Sequence, residues 1–240
     1  MNGLWQSLAI ADFDGDGKND IMLGNYGENF YLRPDEKDPV KLFMNDYDGN
    51  GTVDKVFSRT VNGKDMPVFM KREITEQMPG LKKQNLKHHD YANKAIQDLF
   101  GADMINKGMT KTFNYCSSVI AWNDGNGKFS VQKLPLNVQL STLNAIHITD
   151  INNDGLKDVI LGGNKFELLP QFCRLDAGFG HVLINKGKRN FEWLPPAQSG
   201  LSIAGEIRDI AEINKGGKKK FLFLQNNDFP LLYQLNNSKQ

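Results

Sequence analysis

Apolar positions along this chain fall in short runs, many of them alternating with polar residues, and clusters of Gly, Asn and Asp separate the runs. Leu8 and Ile10, the run Ile21-Met22-Leu23, and residues 40–45, 53–61 and 66–70 predict β-strands in the first third. Residues 110–122, 129–134, 145–149, 159–161, 182–184 and 221–224 predict more. Leu8 and Ile10 are expected to alternate into the core. Between 71 and 107 the period changes: Ile74, Met78 and Leu81, then Tyr91, Ala95, Ile96, Leu99 and Phe100, recur at helical spacing. Asp90 is the expected N-cap and Gly101 the stop. The pattern predicts a helical insertion over 71–107, its apolar side on the sheets and its polar side the most individual surface of the chain. Residues 30–39, with Pro34 and Pro39, read as irregular, Asn62-Gly63 as a hairpin turn, and 166–180 as a connection too long for one.

Three of the polar gaps share one pattern. Asp12-Phe13-Asp14-Gly15-Asp16-Gly17-Lys18-Asn19-Asp20 places carboxylates at positions one, three, five and nine, with glycines that let the backbone curl. Asp46-Tyr47-Asp48-Gly49-Asn50-Gly51-Thr52-Val53-Asp54 and Asp150-Ile151-Asn152-Asn153-Asp154-Gly155-Leu156-Lys157-Asp158 repeat it. Such oxygen-rich loops suit a hard cation, Ca2+ before Mg2+, which keeps its waters and demands a strict octahedron. An EF-hand would need Glu at position twelve and flanking helices, whereas Leu23, Phe57 and Leu161 stand there between strands. The expected ligands are therefore the side chains of Asp12, Asp14, Asp16 and Asp20, of Asp46, Asp48, Asn50 and Asp54, and of Asp150, Asn152, Asp154 and Asp158. The backbone carbonyls of Lys18, Thr52 and Leu156 complete the three sets. Acids about 5 Å apart repel by on the order of 3 kcal/mol per pair, which a divalent ion removes. With four acids against three in each of the others, the first loop is expected to bind tightest. The competing reading is that these are plain solvated Asp/Gly turns.

The unit D-x-D-G-D-G-x-x-D-[IL], a Gly-Asn turn and then N-x-G-x-G-x-F resembles the FG-GAP or VCBS repeat of integrin-α-like β-propellers. The closing element stands as Asn123-Asp124-Gly125-Asn126-Gly127-Lys128-Phe129, and more weakly as Asn185-Lys186-Gly187-Lys188-Arg189-Asn190-Phe191. Gly3-Leu4-Trp5-Gln6-Ser7, Gly24-Asn25-Tyr26-Gly27-Glu28-Asn29 and Gln77-Met78-Pro79-Gly80-Leu81 are similar to the propeller region of bacterial ASPIC/UnbV proteins, relatives of cartilage acidic protein. The resemblance implies an exported bacterial protein, extracellular, on the cell surface or periplasmic, that recognises a protein or glycan. A fourth unit is faint: aligning Glu212-Ile213-Asn214 with Asp150-Ile151-Asn152 puts Gly216 fifth and Lys220 ninth, where an ammonium would repel a metal.

Composition narrows the partners. Lys plus Arg number 29 against 28 for Asp plus Glu, which gives no electrostatic argument for nucleic acid. No run reaches the ~20 apolar residues of a membrane span. Cys116 and Cys173 leave two readings open, a pair formed in an oxidising compartment or two buried free thiols. His88-His89-Asp90 reads as an exposed polar cap, His147 and His181 as packed residues, and residues 215–220 as a solvated basic turn. Asn50-Gly51-Thr52 spells a glycosylation sequon, but inside a metal loop.

The expected protein is mainly β, with β-propeller-type blades from about four repeat units and the helical insertion 71–107, in a single repeat region over 1–240. It is an incomplete or small propeller, or one completed by other domains of a longer parent or by another copy. The expected role is a non-enzymatic, calcium-stabilised binding or adhesion module. Its competitors are the propeller domain of a polysaccharide-active enzyme, with a site among Arg174, Asp176 and His181, and an architectural spacer.

Overall fold

The computed structural model describes residues 1–235. In chain order it contains β1 (Ser7–Ala11), β2 (Asp20–Gly24), β3 (Val40–Asn45), β4 (Asp54–Val61) and β5 (Lys64–Pro67). Short helices follow: α1 (Lys71–Gln77), α2 (Leu81–Gln84), α3 (His88–Ala92), α4 (Ile96–Phe100) and α5 (Ala102–Lys107). Then come β6 (Met109–Phe113), β7 (Val119–Gly125), β8 (Lys128–Lys133), β9 (Leu143–Thr149), β10 (Asp158–Gly163), β11 (His181–Asn185) and β12 (Phe191–Leu194). The chain continues through α6 (Pro196–Ser199) into β13 (Ile207–Lys215), β14 (Lys218–Gln225) and β15 (Leu231–Gln234). The strands form four antiparallel sheets, three of four strands and one of three among the described residues, with the form of β-propeller blades. The chain divides into two compact units, Leu4–Tyr31 with the chain from Cys116 onward, and Met1–Gly3 with Leu32–Tyr115.

The larger unit holds a first sheet (β1-β2-β7-β8), a middle sheet (β9 to β12 in sequence) and a C-terminal sheet (β13-β14-β15). Met22, Ile120 and Trp122 of the first sheet meet Leu143, Val159, Leu161 and Leu183 of the middle one in one buried cluster. Ala145, Ile160, Val182 and Ile184 of the middle sheet meet Ile207, Ile210, Phe221 and Phe223 in another. The run Val159-Ile160-Leu161 is therefore apolar without alternation because both of its faces are covered. Leu8 and Ile10 correct the sequence reading: they are 59% and 53% exposed. Ala9 and Ala11, paired with Met22 and Asp20, take the inward face, so the alternation is real and its phase is reversed.

Glycines at the ends of the second strands let neighbouring sheets close. A Cβ on Gly24 would stand 2.1 Å from the Leu143 carbonyl oxygen, and one on Gly162 would stand 2.4 Å from Ile207 Cγ2. Leu143 opens β9 and Ile207 opens β13, so the same contact recurs from sheet to sheet. The faint fourth unit is corrected too. β13 and β14 pair through to Lys215 and Lys218, and Gly216-Gly217, both left-handed, make a two-residue turn with no metal-type loop.

Apart from Met1–Gly3, the smaller unit lies in sequence between β2 and β7, two strands that pair with each other. Its sheet runs β5-β4-β3-β6, with the expected Asn62-Gly63 turn (φ 51° and 74°) joining β4 to β5. The stretch 110–122, read as one strand region, is two strands in different units, β6 and β7. The helices lie between β5 and β6, and Ile74, Met78, Leu81, Tyr91, Ile96 and Leu99 pack with Phe43 and Val56 of the sheet. Asp90 lies inside α3, whose N-cap is Lys87, whereas Gly101 ends α4 at φ 73° as expected. The acids Glu73 and Asp98 accept the N-cap amides of Met70 and Ala95 at 2.9 Å each. No helix among the described residues is long and apolar enough to cross a membrane.

Candidate metal centres

The three acidic loops join β1 to β2, β3 to β4 and β9 to β10, and they fold alike through a nested set of side-chain acceptors. In each, the first Asp accepts two loop amides. Asp12 takes those of Gly15 and Gly17, Asp46 those of Asn50 and Gly51, and Asp150 those of Asp154 and Gly155, at 2.8–3.2 Å. The third residue accepts the fifth amide: Asp16 to Asp14, Asn50 to Asp48, Asp154 to Asn152. The fifth accepts the seventh, from Lys18, Thr52 and Leu156, at 2.8 Å in every loop. Positions four and six are left-handed throughout, Gly15 and Gly17, Gly49 and Gly51, Asn153 and Gly155. Asn is the side-chain-bearing residue that tolerates this region best.

The ninth Asp has a second function. Asp20, Asp54 and Asp158 are buried and accept the amide of the second loop residue, Phe13, Tyr47 and Ile151, at 2.8–3.0 Å. In the larger unit the other oxygen takes the amide that opens the closing motif, Asn123 to Asp20 and Asn185 to Asp158, at 2.8 Å each. Asn123 and Asn185 then accept from Gly125 and Gly187. The closing motif thus clamps the metal-type loop from the third strand. In the smaller unit, β5 pairs only with the far half of β4, and the Gln77 side chain at the end of α1 bonds Asp54 instead.

Asp12, Asp14 and Asp20 converge with oxygens within 4.8 Å of one another, and so do Asp46, Asp48 and Asp54. This donor set, hard carboxylate oxygens on a curled backbone, fits an oxygen-seeking divalent cation. Burial raises the carboxyls of Asp54 and Asp158 above the ordinary range, reinforced at Asp54 by the charges of Asp48 and Asp46 and at Asp158 by those of Asp154 and Asp150. Asp16 and Asp154 stand apart from the convergent groups. Asp16 pairs with Lys18 Nζ at 2.6 Å, which lowers its pKa, and Asp154 accepts from Asn152 Nδ2 at 2.8 Å. Thr52 Oγ1 likewise donates to Asn50.

Sequence reasoning missed Arg189. Its Nε donates to Asp14 at 2.8 Å and its Nη1 to Asp124 at 2.7 Å and Ser130 at 3.2 Å, while the guanidinium lies 5.3 Å from the Trp122 ring. Asp124 is held low in pKa by that pair. The only signal available was its place in the weaker closing motif. The other sequence candidates are not drawn together: among the described residues no hydrogen bond or ion pair joins Arg174, Asp176 and His181. Arg174 lies over Phe166 at 3.9 Å, and His181 accepts from the Trp193 indole. Cys116 and Cys173 form no disulfide, and Cys116 is half-buried and Cys173 exposed, which corrects the reading of two buried thiols.

Residues 4–54 match the model of the FG-GAP repeat family, a stretch that contains the first two acidic loops. No curated protein and no solved structure matches the chain. The match supports an FG-GAP repeat domain over those residues, and repeats of this family occur in β-propeller domains of the adhesion type and often bind calcium.

Proposed function

We propose that this chain is a calcium-stabilised binding module, in which the three acidic loops hold Ca2+ and the sheets present a surface to a protein or glycan outside the cytosol. The observation that carries this reading is the repetition of one hydrogen-bonding scheme in three loops remote in sequence, two of them with three converging carboxylates. The ion, when bound, neutralises mutually repelling acids; the loops' own amides and glycines hold the carboxylates in place for it. The ligands in this reading are Asp12, Asp14 and Asp20, Asp46, Asp48 and Asp54, and Asp150, Asn152 and Asp158. Asp16, Asn50 and Asp154 turn in from their hydrogen bonds, and the carbonyls of Lys18, Thr52 and Leu156 serve as the backbone donors. Extracellular modules bind calcium at about 10⁻⁴ to 10⁻³ M, which fits an exported protein, as does the family match.

Thermal unfolding in EDTA and in millimolar CaCl2 tests the reading. Calcium at ten to a hundred times Kd raises stability by about 1.4 to 2.7 kcal/mol per site through linkage, and superimposable curves refute it. A glycan and protein binding array set beside a polysaccharide cleavage screen separates the binding module from the enzymatic alternative, and silence in both favours a spacer.

A further inference from the structure

By acid count the first loop outranks the second, but among the described residues cationic side chains of the chain itself pair with carboxylates of the first loop and with none of the second. Arg189 stands on the turn between β11 and β12, at φ 62° behind Lys188 at 53°. Asn190 fixes this turn by accepting from Lys186 and donating to Gly187. From there the guanidinium reaches a loop 175 residues away and bridges Asp14 to Asp124. The Asp14 side chain is 10% exposed, so the pair is shielded on one side. Lys18 neutralises Asp16 in the same loop. Among the described residues, no basic side chain pairs with Asp46, Asp48 or Asp54 in the second loop; in the third, Lys219 Nζ donates to the Asp150 backbone carbonyl at 2.6 Å, with no ion pair to the Asp150 or Asp158 carboxylates.

We propose that Arg189 is the resident counter-cation of the first loop and lowers its affinity for a divalent cation below that of the second loop. The inference rests on the calcium reading above. An ion held by Asp12, Asp14 and Asp20 shares Asp14 with a guanidinium already 2.8 Å from it. A dipositive ion and a guanidinium about 6 Å apart in a water-like dielectric repel enough to cost about tenfold in affinity, somewhat less at physiological salt. In return, the arginine holds the first loop to the β7–β8 and β11–β12 hairpins when no ion is bound, which makes this loop less dependent on calcium than the second.

The glycine amides that donate to the first Asp of each loop, Gly17, Gly51 and Gly155, report the sites separately in a two-dimensional NMR titration of the intact protein with CaCl2. In the unaltered protein, Gly51 is expected to reach half-saturation at lower calcium than Gly17. In Arg189→Gln the Gly17 midpoint is expected to fall about fivefold to tenfold while those of Gly51 and Gly155 stay fixed. Arg189→Lys, which keeps the charge and loses the fork, lies between them and covers the case in which the glutamine variant does not fold. If Gly17 titrates first in the unaltered protein, or its midpoint is unmoved by the substitutions, the inference fails while the calcium reading stands. If none of the three amides shifts up to about 20 mM calcium, well above the range of extracellular modules, the calcium reading itself falls and takes the inference with it.

Discussion

His181 shows how one half-buried residue ties stability to pH. Its ring lies against Trp193, burial pushes the imidazole down to about 4, and the Trp193 indole donates to Nδ1 at 3.2 Å, which leaves the ring proton on Nε2. In the unfolded chain the same side chain titrates near 6.5. The folded value is the lower one, so its contribution to stability is complete above pH 6.5 and is lost as the pH falls toward 4. Between pH 7 and pH 5 the protein is expected to lose about 2 kcal/mol through this residue. The depressed carboxyls of Asp16, Glu28, Asp124 and Asp154 act only at lower pH, and the raised ones of Asp54 and Asp158 push the other way. The comparison is therefore between the protein and His181→Gln, by urea unfolding in EDTA: the variant's profile should be flatter over this interval. Parallel profiles would show that the imidazole is not the titrating group.

At the scale of the element, glycines that look alike in sequence do different work. Gly17 and Gly51 are left-handed with open space where a Cβ would stand, so alanine there costs only backbone strain, about 1–2 kcal/mol. Gly24 and Gly162 are not left-handed; each abuts the first strand of the next sheet, and alanine would force the sheets apart. Gly24→Ala and Gly162→Ala are expected to cost upwards of about 3 kcal/mol, and urea unfolding that ranks the loop variants as the more damaging would contradict the packing role. This contrast also marks what the sequence made legible. The acidic loops could be read residue by residue because their hydrogen bonds close within nine positions, from Asp12 to Asp20. The Gly-Asn after β2 read as a turn because its partner, Leu143, lies in another sheet. Arg189 was invisible for the same reason, and at Leu8 and Ile10 alternation supplied a period without a phase.

For the whole molecule, the sequence reads as repeats in series, but the second acidic loop belongs to a unit inserted in the sequence between β2 and β7 of the first sheet. The boundary was hidden because residues 110–122 stay strand-like across it, with no Gly or Pro at the crossing. The strands that flank the insertion hold each other without it. Ile21, Met22 and Leu23 pair with Ala121, Ile120 and Val119, and the Gly27 amide donates to the Cys116 carbonyl at 2.8 Å. Glu28 accepts from Ser117 and Lys133, each at 2.6 Å. The ends of the insertion are thus fixed by contacts within the larger unit, and a short bridge closes the gap at a lower entropic cost than a long one. Replacing residues 32–115 with a Gly/Ser linker of about six residues is expected to leave a cooperatively unfolding protein with the near-ultraviolet signature of the buried Trp122 intact. On the calcium reading, the shortened protein also binds one ion fewer, since only the second loop is lost. A non-cooperative transition or a collapsed near-ultraviolet spectrum would mean that the larger unit depends on its insertion, and the two units would then have to be treated as one folding entity.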